Sequence, residues 1–300
     1  MASPIEIILI PTVMILLGYM LKDRKVLKSE DSKILSDIVL LVSLPSLIFI
    51  NISKATISPD MLQLPVIGMV LSFVLIILSA LFCRFRGYSE KKTWTIVIAS
   101  SMMNTGFLGF PITLGVFGNT GFLRAIFFDL STTLRFILFG MVLVGFYGGN
   151  RKDILKESIS FVPLWAILIG LIFNVTGLEC GYVVETTLDY LSQATIPLIM
   201  MSLGLKLDFS AIKNSIGDSL FVSFIKLILA PLIIFYALTA WGYGGLSFQV
   251  AVLEAGMSTA MNALVLSIKY DLDSELMSSI VFTDTVLSLF TLTALISLLT

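Results

Sequence analysis

Residues 104–111 of this 300-residue chain read Asn-Thr-Gly-Phe-Leu-Gly-Phe-Pro and lie inside an apolar block long enough to cross a membrane. Gly106 and Gly109 loosen a helical backbone there, and Pro111 removes one of its hydrogen bonds. Within a bilayer, an interrupted helix is stable only where its free backbone groups face protein or a water-filled cavity. The stretch therefore predicts a transmembrane helix that unwinds at a polar site.

A second interrupted block occurs 152 residues later in the chain. Residues 256–262 read Gly-Met-Ser-Thr-Ala-Met-Asn, and the first break falls on them when the chain is shifted by that distance. The same shift places Pro11 on Pro163 and Pro45 on Pro197. Because several matches share one offset, we predict that the chain consists of two related halves.

Composition places both halves in a membrane. The chain is 57% hydrophobic and 13% charged, whereas soluble domains have roughly 45–50% apolar and about 25% charged residues. Its apolar residues come in blocks close to the roughly 20 residues that cross a bilayer. The predicted spans lie near residues 4–21, 34–52, 62–83, 93–116, 121–146, 159–176, 185–205, 216–240, 247–268 and 275–299.

The predicted fold class is an all-α integral membrane protein with ten transmembrane helices. The first half takes residues 1–146, a cytoplasmic connector takes 147–158, and the second half takes 159–300. Each half has five spans, and because five is odd, the second half is inverted relative to the first. Inverted repeats with paired broken helices, here helices 4 and 9, are typical of secondary transporters.

Basic residues give the expected orientation. Fifteen of the 19 Lys and Arg residues lie in connections after odd-numbered spans, Lys213 among them, while Lys54 and Arg124 lie on the opposite side. The positive-inside rule places the odd-numbered connections in the cytoplasm. We therefore expect a multi-pass protein of the plasma membrane, with both termini extracellular or periplasmic.

The two breaks supply the candidate substrate site, because unwound backbone and half-helix ends offer groups that suit ions. For one break alone, close packing of small residues is an equally good interpretation, but two breaks at one offset favour a site. The candidates are Asn104, Thr105, Gly106 and Pro111 in the first break, and Gly256, Ser258, Thr259 and Asn262 in the second.

Charged residues inside the spans are further candidates, since each is costly in a bilayer. An anionic substrate would bind a basic side chain, Arg135 or Lys226. A coupling cation would bind a carboxylate, for which the candidates are Glu254, Asp284 and Asp129. The alternative is that these charges pair with one another as structural ion pairs.

Several functions are disfavoured by what the sequence lacks. There is no histidine and there are only two cysteines, so zinc, haem and thiol-redox chemistry lack ligands. A net charge of −1 gives no basic surface for nucleic acid, and no nucleotide-binding motif is present. We therefore expect neither an enzyme nor a cofactor or bound metal, apart from Na⁺ or H⁺ as a coupling ion.

Three segments resemble the auxin efflux carrier family, within the superfamily of bile-acid, auxin and arsenite transporters. They are Ser101-Met-Met-Asn-Thr-Gly-Phe-Leu-Gly-Phe-Pro111 with Ile112, Ala194-Thr-Ile-Pro197 with Leu198 and Ser202-Leu-Gly204, and the stretch from Ala263 to Lys269 and Tyr270. The resemblance covers essentially the whole chain. Because the connector is short where plant members have a long central loop, the chain resembles the bacterial or archaeal permeases of the family.

The resemblance implies that helices 4 and 9 cross, with one bundle as a scaffold and the other as a moving transport unit. Asn104 and Pro111 correspond to the first crossing, and Gly256, Met257 and Ser258 to the second. Family members commonly have proline where this chain has Ser258, which leaves Gly256 alone to break the helix.

More distantly, the layout is similar to bile-acid sodium symporters. In these, a glutamate on span 9, an asparagine on span 4 and hydroxyl groups on span 5 hold sodium. By that analogy the ion-coupling residues include Glu254, Asn104, Ser131 and Thr132.

The family implies small organic anions as substrates, either auxin-like acids or dicarboxylates such as malate and malonate. We therefore expect a secondary active transporter that works by elevator-type alternating access with sodium or proton coupling. The expected partners are this anion and the lipid bilayer, and a homodimer through the scaffold bundle is compatible with the sequence. The alternative is a ligand-binding membrane sensor or receptor with a transporter-like fold.

Overall fold

A computed structural model describes residues 3–207 and 215–300, which form helices joined by short connections. Lys213, one of the basic residues used for the orientation, lies outside the described residues. The helices are α1 Pro4–Asp23, α2 Asp31–Ser53, α3 Met61–Arg86, α4 Glu90–Ser101, α5 Thr105–Tyr147, α6 Arg151–Ile159, α7 Val162–Thr176, α8 Tyr182–Gln193, α9 Thr195–Lys206, α10 Ile216–Ala240, α11 Gly245–Ala255, α12 Met261–Lys269 and α13 Ser274–Leu299.

Helix ends follow local signals in the sequence. Gly87 follows α3 with a φ of 66°, the left-handed conformation that glycine adopts without strain. The Ser89 side chain then caps α4 by accepting a hydrogen bond from the amide of Lys92. Inside the long helix α5, Gly118 has a φ of 63° and a ψ of −162°. This kink lies between predicted spans 4 and 5 and divides α5 into two helical parts, one on each side of Gly118.

Six helices within the described residues are long and apolar enough to cross a membrane, namely α1, α2, α3, α5, α10 and α13. A seventh span results if α6 and α7, which are bent by 50° at their junction, are counted together. Apolar side chains such as Leu9, Val13 and Leu16 are exposed on α1, as expected for a surface that faces lipid. The chain is therefore a multi-pass membrane protein.

The other predicted spans are divided between shorter helices. Predicted span 4 is split between α4 and the start of α5, and predicted span 9 is split between α11 and α12. Predicted span 7 is split at Ala194 between α8 and α9, each of which has 12 residues. These pieces are individually shorter than a bilayer is thick, so the count of ten spans stays a prediction.

Two compact units are present. The broken-helix unit consists of the described residues within 1–8, 59–154 and 208–300, and the second unit consists of residues 9–58 and 155–207. Each unit takes residues from both predicted halves. The repeat therefore divides the sequence in one way, and side-chain packing divides the folded chain in another.

Helices α1 and α9 pack closely within the second unit, through two glycines. Gly18 lies against the backbone carbonyl of Met201, and Gly204 lies against the backbone carbonyl of Ile15. Elsewhere in this unit Asn174 of α7 donates hydrogen bonds to the carbonyl oxygens of Ile52 at 2.9 Å and Ala55 at 2.7 Å. Small residues that allow such close backbone approach are typical of membrane helices.

Replacing Gly204 by alanine should destabilise the second unit. The added Cβ would lie 2.8 Å from the backbone nitrogen of Tyr19 and overlap the Ile15 carbonyl, so α1 must move away. We expect a loss of about 1–3 kcal/mol, measured as a lower thermal unfolding temperature in detergent. The control is Gly145→Ala, because a Cβ at Gly145 meets no atom within 4 Å. Equal unfolding temperatures for the two variants would contradict the close packing.

Candidate functional site

The two interrupted helices meet inside the broken-helix unit. Met103 and Thr259 form an isolated antiparallel bridge. The amide of Asn104 donates to the carbonyl oxygen of Ser258 at 2.8 Å, and the amide of Ala260 donates to the carbonyl oxygen of Met102 at 2.9 Å. Each break therefore satisfies part of the other's free backbone, as an unwound segment at membrane depth requires.

The first helix breaks at residues 102–104, before Gly106, Gly109 and Pro111, which were expected to interrupt it. Met102 is extended after α4, and a π-helical turn at Thr105–Gly109 leads into the regular part of α5. Pro111 lies at the start of that regular part, directly after the turn, and because it has no amide proton it cannot donate to a carbonyl group of the turn. In the second break α11 ends at Ala255, directly before Gly256. Glycine therefore ends this helix without the proline that family members commonly have.

Arg135 and Lys226 both contact the carboxyl-terminal end of α4. The fully buried Lys226 side chain donates to the carbonyl oxygens of Ala99 at 3.1 Å and Met102 at 2.5 Å. The fully buried Arg135 side chain donates to the carbonyl oxygen of Ser101 at 3.1 Å. A helix carries partial negative charge at this end, so two cations neutralise the point where α4 stops.

Arg135 has further partners around it. Its guanidinium group donates to the hydroxyl groups of Ser72 and Thr132 and lies 2.9 Å from the sulfur of Met103. These hydrogen bonds use most of the guanidinium N–H groups that would otherwise bind a carboxylate. Both predicted anion-binding cations thus have protein partners in this structure.

Two acids are connected to these cations through the threonines of the breaks. Asp129 accepts a hydrogen bond from Thr105, whose hydroxyl lies 3.0 Å from that of Thr132, the partner of Arg135. Asp284 accepts from Thr259, whose hydroxyl lies 3.2 Å from the Ala99 carbonyl oxygen that Lys226 also contacts.

Ser223 gives Asp284 a second donor at 2.5 Å. Asp284 and Lys226 also interact electrostatically, as do Asp129 and Arg135. Each break thus contributes one threonine that joins an acid to a cation. This is a structural likeness between the two halves, although the acids are not equivalent positions of the repeat.

Glu254 is arranged differently. Its side chain is fully buried, and its Oε1 atom accepts a hydrogen bond from the hydroxyl group of Thr113 at 2.6 Å. The other carboxyl oxygen, Oε2, has no hydrogen-bond partner within the part of the chain that the structure describes. The carboxyl group lies against Gly109, where an added Cβ would be only 2.8 Å from the carboxyl carbon. Glu254, the last of the predicted acids, therefore contacts the first break at Gly109.

Free donors remain at the crossing. The side-chain nitrogen of Asn104 and the hydroxyl of Ser258 are buried and have no hydrogen-bond partner in residues 3–207 and 215–300. A Cβ at Gly106 would meet no atom within 4 Å, so open space lies beside the π-helical turn. The exposed Asn262 lies in the first turn of α12. Donors of this kind at helix amino-termini favour an anion.

The other predicted residues are placed as follows. Met257 is fully buried between Gly256 and Ser258. Ser131 donates to the carbonyl oxygen of Phe128 in its own helix at 2.7 Å, and its side chain lies against Gly68. The structure thus brings together residues of both breaks with four of the charged candidates, while Ser131 bonds within α5 and Glu254 has its own contacts.

Three polar residues of the site were not predicted from the sequence: Ser72, Thr113 and Ser223. Each is an isolated hydroxyl within an apolar span, which is a weak signal because serine and threonine are common in membrane helices. The carbonyl groups of Ala99, Ser101 and Met102 were also missed, and a backbone group has no sequence signal of its own.

Comparisons with known proteins place the chain among transporters. A family model described as membrane transport protein matches residues 5–148 and 150–296. An uncharacterized transporter of Methanothermobacter thermautotrophicus is 44% identical over 289 residues, covering 96% of this chain and 95% of the relative. An uncharacterized transporter of Methanocaldococcus jannaschii is 36% identical over 294 residues, covering 95% of this chain and 96% of the relative.

A more distant relative has a name that includes a substrate. A Rhizobium meliloti protein named "Putative malonate transporter" is 24% identical over 298 residues, covering 95% of this chain and 92% of that protein. All three relatives match the chain over nearly its whole length.

Proposed function

The chain belongs to the membrane transport protein family, the family of the auxin efflux carriers, and we propose that it carries a small organic anion across the plasma membrane as a secondary active transporter. The family and the named relatives support a transporter rather than an enzyme. The proposed substrate class is a carboxylate, with malonate and malate as first choices because one relative's name includes malonate.

The observation that carries the proposal is the set of free donors at the crossing. The side-chain nitrogen of Asn104 and the hydroxyl of Ser258 are buried yet lack a hydrogen-bond partner among the described residues, and buried polar groups are normally hydrogen-bonded. A carboxylate beside Gly106 would accept from them and from backbone amides at the start of α5. Arg135 and Lys226 would contribute positive potential from their places at the end of α4, because they stabilise an anion even where they do not touch it.

The proposed mechanism is elevator-type alternating access in a ten-span, inverted-repeat topology with both termini outside. The broken-helix unit, which contains both breaks, would carry the substrate, and the second unit would serve as the scaffold. Transport would be coupled to sodium or protons through the polar groups around the crossing: Glu254, Asp284, Asp129, Ser131 and Thr132. The division of the described residues into two units supports this arrangement.

Replacing Asn104 by alanine tests the substrate site. A hydrogen bond to a charged group contributes roughly 1.5–3 kcal/mol, so we expect uptake of labelled malonate or malate into proteoliposomes to fall about 10- to 100-fold. The fold should persist, because the backbone bond from the Asn104 amide to Ser258 remains. The control is Asn119→Ala, an exposed asparagine near the kink of α5.

The outcomes separate the candidate functions. Unchanged uptake by the Asn104 variant would contradict the crossing site. Carboxylate binding to the purified wild-type protein, seen as thermal stabilisation, without any flux in proteoliposomes would instead support the sensor or receptor alternative.

A further inference from the structure

Glu254 differs from the other acids of the site in having no cation connected to it among residues 3–207 and 215–300. Asp129 and Asp284 are joined through Thr105 and Thr259 to groups that also contact a cation. Glu254 accepts a hydrogen bond from the neutral hydroxyl of Thr113, and its second oxygen is buried without a hydrogen-bond partner in the same part of the chain. An ionised carboxylate in this position would lack most of the stabilisation that buried charges require.

The charged groups on the helices around Glu254 do not change this. Helix α11 packs against α3, α5, α10 and α13. The titratable and charged side chains of these helices are Cys83, Arg84, Arg86, Arg124, Asp129, Arg135, Tyr147, Asp218, Lys226, Tyr236, Glu275 and Asp284. Asp129, which is also an acid, interacts electrostatically with Glu254. A second negative charge nearby opposes ionisation of Glu254 further.

The limited space beside the Glu254 carboxyl group favours a proton over a metal cation as the coupling ion. A hard metal cation binds several oxygen ligands at roughly 2.0–2.6 Å. The Glu254 carboxyl group lies directly against Gly109 of the π-helical turn, and its hydrogen-bonding neighbour is one hydroxyl group that already donates to it. A proton needs neither additional ligands nor additional volume.

We propose that Glu254 carries the coupling proton of this transporter, held on its carboxyl group while that group packs against Gly109. The inference rests on the proposed function and names the ion that it uses. On ionisation the carboxyl releases one proton and becomes a carboxylate that needs donors. It obtains them only if water enters or if the carboxyl and the Thr105–Gly109 turn separate. Proton occupancy is thereby linked to the backbone that lines the substrate site.

Infrared spectroscopy of the purified protein tests the proton without any transport. The wild type at neutral pH should show the carbonyl stretch of a protonated carboxylic acid, and Glu254→Gln should remove that band. Thr113→Val should shift the band, because it removes the hydroxyl that bonds the carboxyl group. Adding sodium chloride in place of potassium chloride should leave the band unchanged. Its absence from the wild type, its persistence in Glu254→Gln, or its loss on adding sodium would overturn the proposal.

Transport supplies the second readout. Malonate or malate added to wild-type proteoliposomes should move protons, detected with an enclosed pH-sensitive dye, equally well in sodium and potassium media. Glu254→Gln should reduce this proton movement to background, and the matched control Glu275→Gln, at an exposed acid of α13, should not. Sodium-dependent uptake without proton movement would overturn the proposal.

The two experiments distinguish this inference from the proposed function. A protonated Glu254 in a protein that binds carboxylates without moving them would contradict transport and therefore proton coupling, while leaving the infrared assignment intact. Carboxylate uptake by a protein whose Glu254 is ionised would contradict the proton alone.

Discussion

Replacing Lys226 by methionine is expected to destabilise the protein by about 3–5 kcal/mol, the loss typical of breaking a buried charge pair by removing one partner. Methionine fills similar space but donates no hydrogen bond. The carbonyl oxygens of Ala99 and Met102 would lose the Lys226 ammonium, and Asp284 would lose the cation that interacts with it. The measurement is thermal unfolding of the purified protein in detergent.

A second substitution shows where that loss arises. If the unpaired Asp284 charge dominates, then Asp284→Asn in the Lys226→Met background should recover part of the stability, since neutralising both partners removes the buried charge. No recovery would mean that the α4 carbonyl groups dominate instead. Both results keep Lys226 as the group that closes the end of α4.

Lys54→Met is the matched control for the loss of a lysine. Lys54 pairs with Glu185 at 2.7 Å, and that hydrogen bond raises the pKa of the Lys54 ammonium group. The Lys54 side chain is 61% exposed, however, and exposed pairs contribute about 0–1 kcal/mol. If Lys54→Met and Lys226→Met lowered the unfolding temperature equally, the assignment of Lys226 to the crossing would be wrong.

The existence of two breaks could be predicted from the sequence, but the position of the first could not. The second helix ends directly before Gly256, within the predicted stretch, although Ser258 stands where proline was expected. The first helix ends at Ser101 and resumes at Thr105, so this break precedes Gly106, Gly109 and Pro111, which lie in the π-helical turn and the helix that follows. Its backbone bonds to residues of the second break are distant in the sequence, which is why local residue types did not place it.

The partners of the buried charges could not be predicted in the same way. Lys226 contacts carbonyl groups 124 and 127 residues away in the chain, and sequence spacing gives no measure of such contacts. The sequence offered an anionic substrate or another side chain as partners for this lysine, and backbone at a helix end was not among them. Likewise, Glu254 was a candidate from its place inside a span and from the analogy with bile-acid sodium symporters, and its contact with Gly109 required the folded chain.

The division of the chain into two compact units could not be predicted from the sequence either. The repeat is a property of residue order, whereas the units follow from which helix faces pack together. Residues 59–154 and the described residues within 208–300 share one unit although they belong to different halves. A duplicated chain can divide its helices between units in this way because each half supplies similar packing surfaces.

Filling the open space beside Gly106 should abolish transport and leave the fold intact. A Cβ at Gly106 meets no atom within 4 Å, and its φ lies outside the left-handed region that demands glycine. The backbone at position 106 therefore accepts a side chain, and in Gly106→Phe that side chain would occupy the space beside Asn104 in which we place the substrate. We expect substrate affinity to fall by about 100-fold or more, equivalent to about 2.8 kcal/mol at 1.4 kcal/mol per tenfold.

Comparing Gly106→Ala with Gly106→Phe tests whether side-chain volume at this position determines uptake. Gly106→Ala should reduce malonate or malate uptake less than Gly106→Phe does, because a methyl group leaves most of the space free. Gly145→Phe is the control, since Gly145 is equally open but lies at the far end of α5. Thermal unfolding should be nearly the same in all three variants. Normal uptake by Gly106→Phe would place the substrate elsewhere, because an aromatic ring and a carboxylate cannot occupy the same space beside the break.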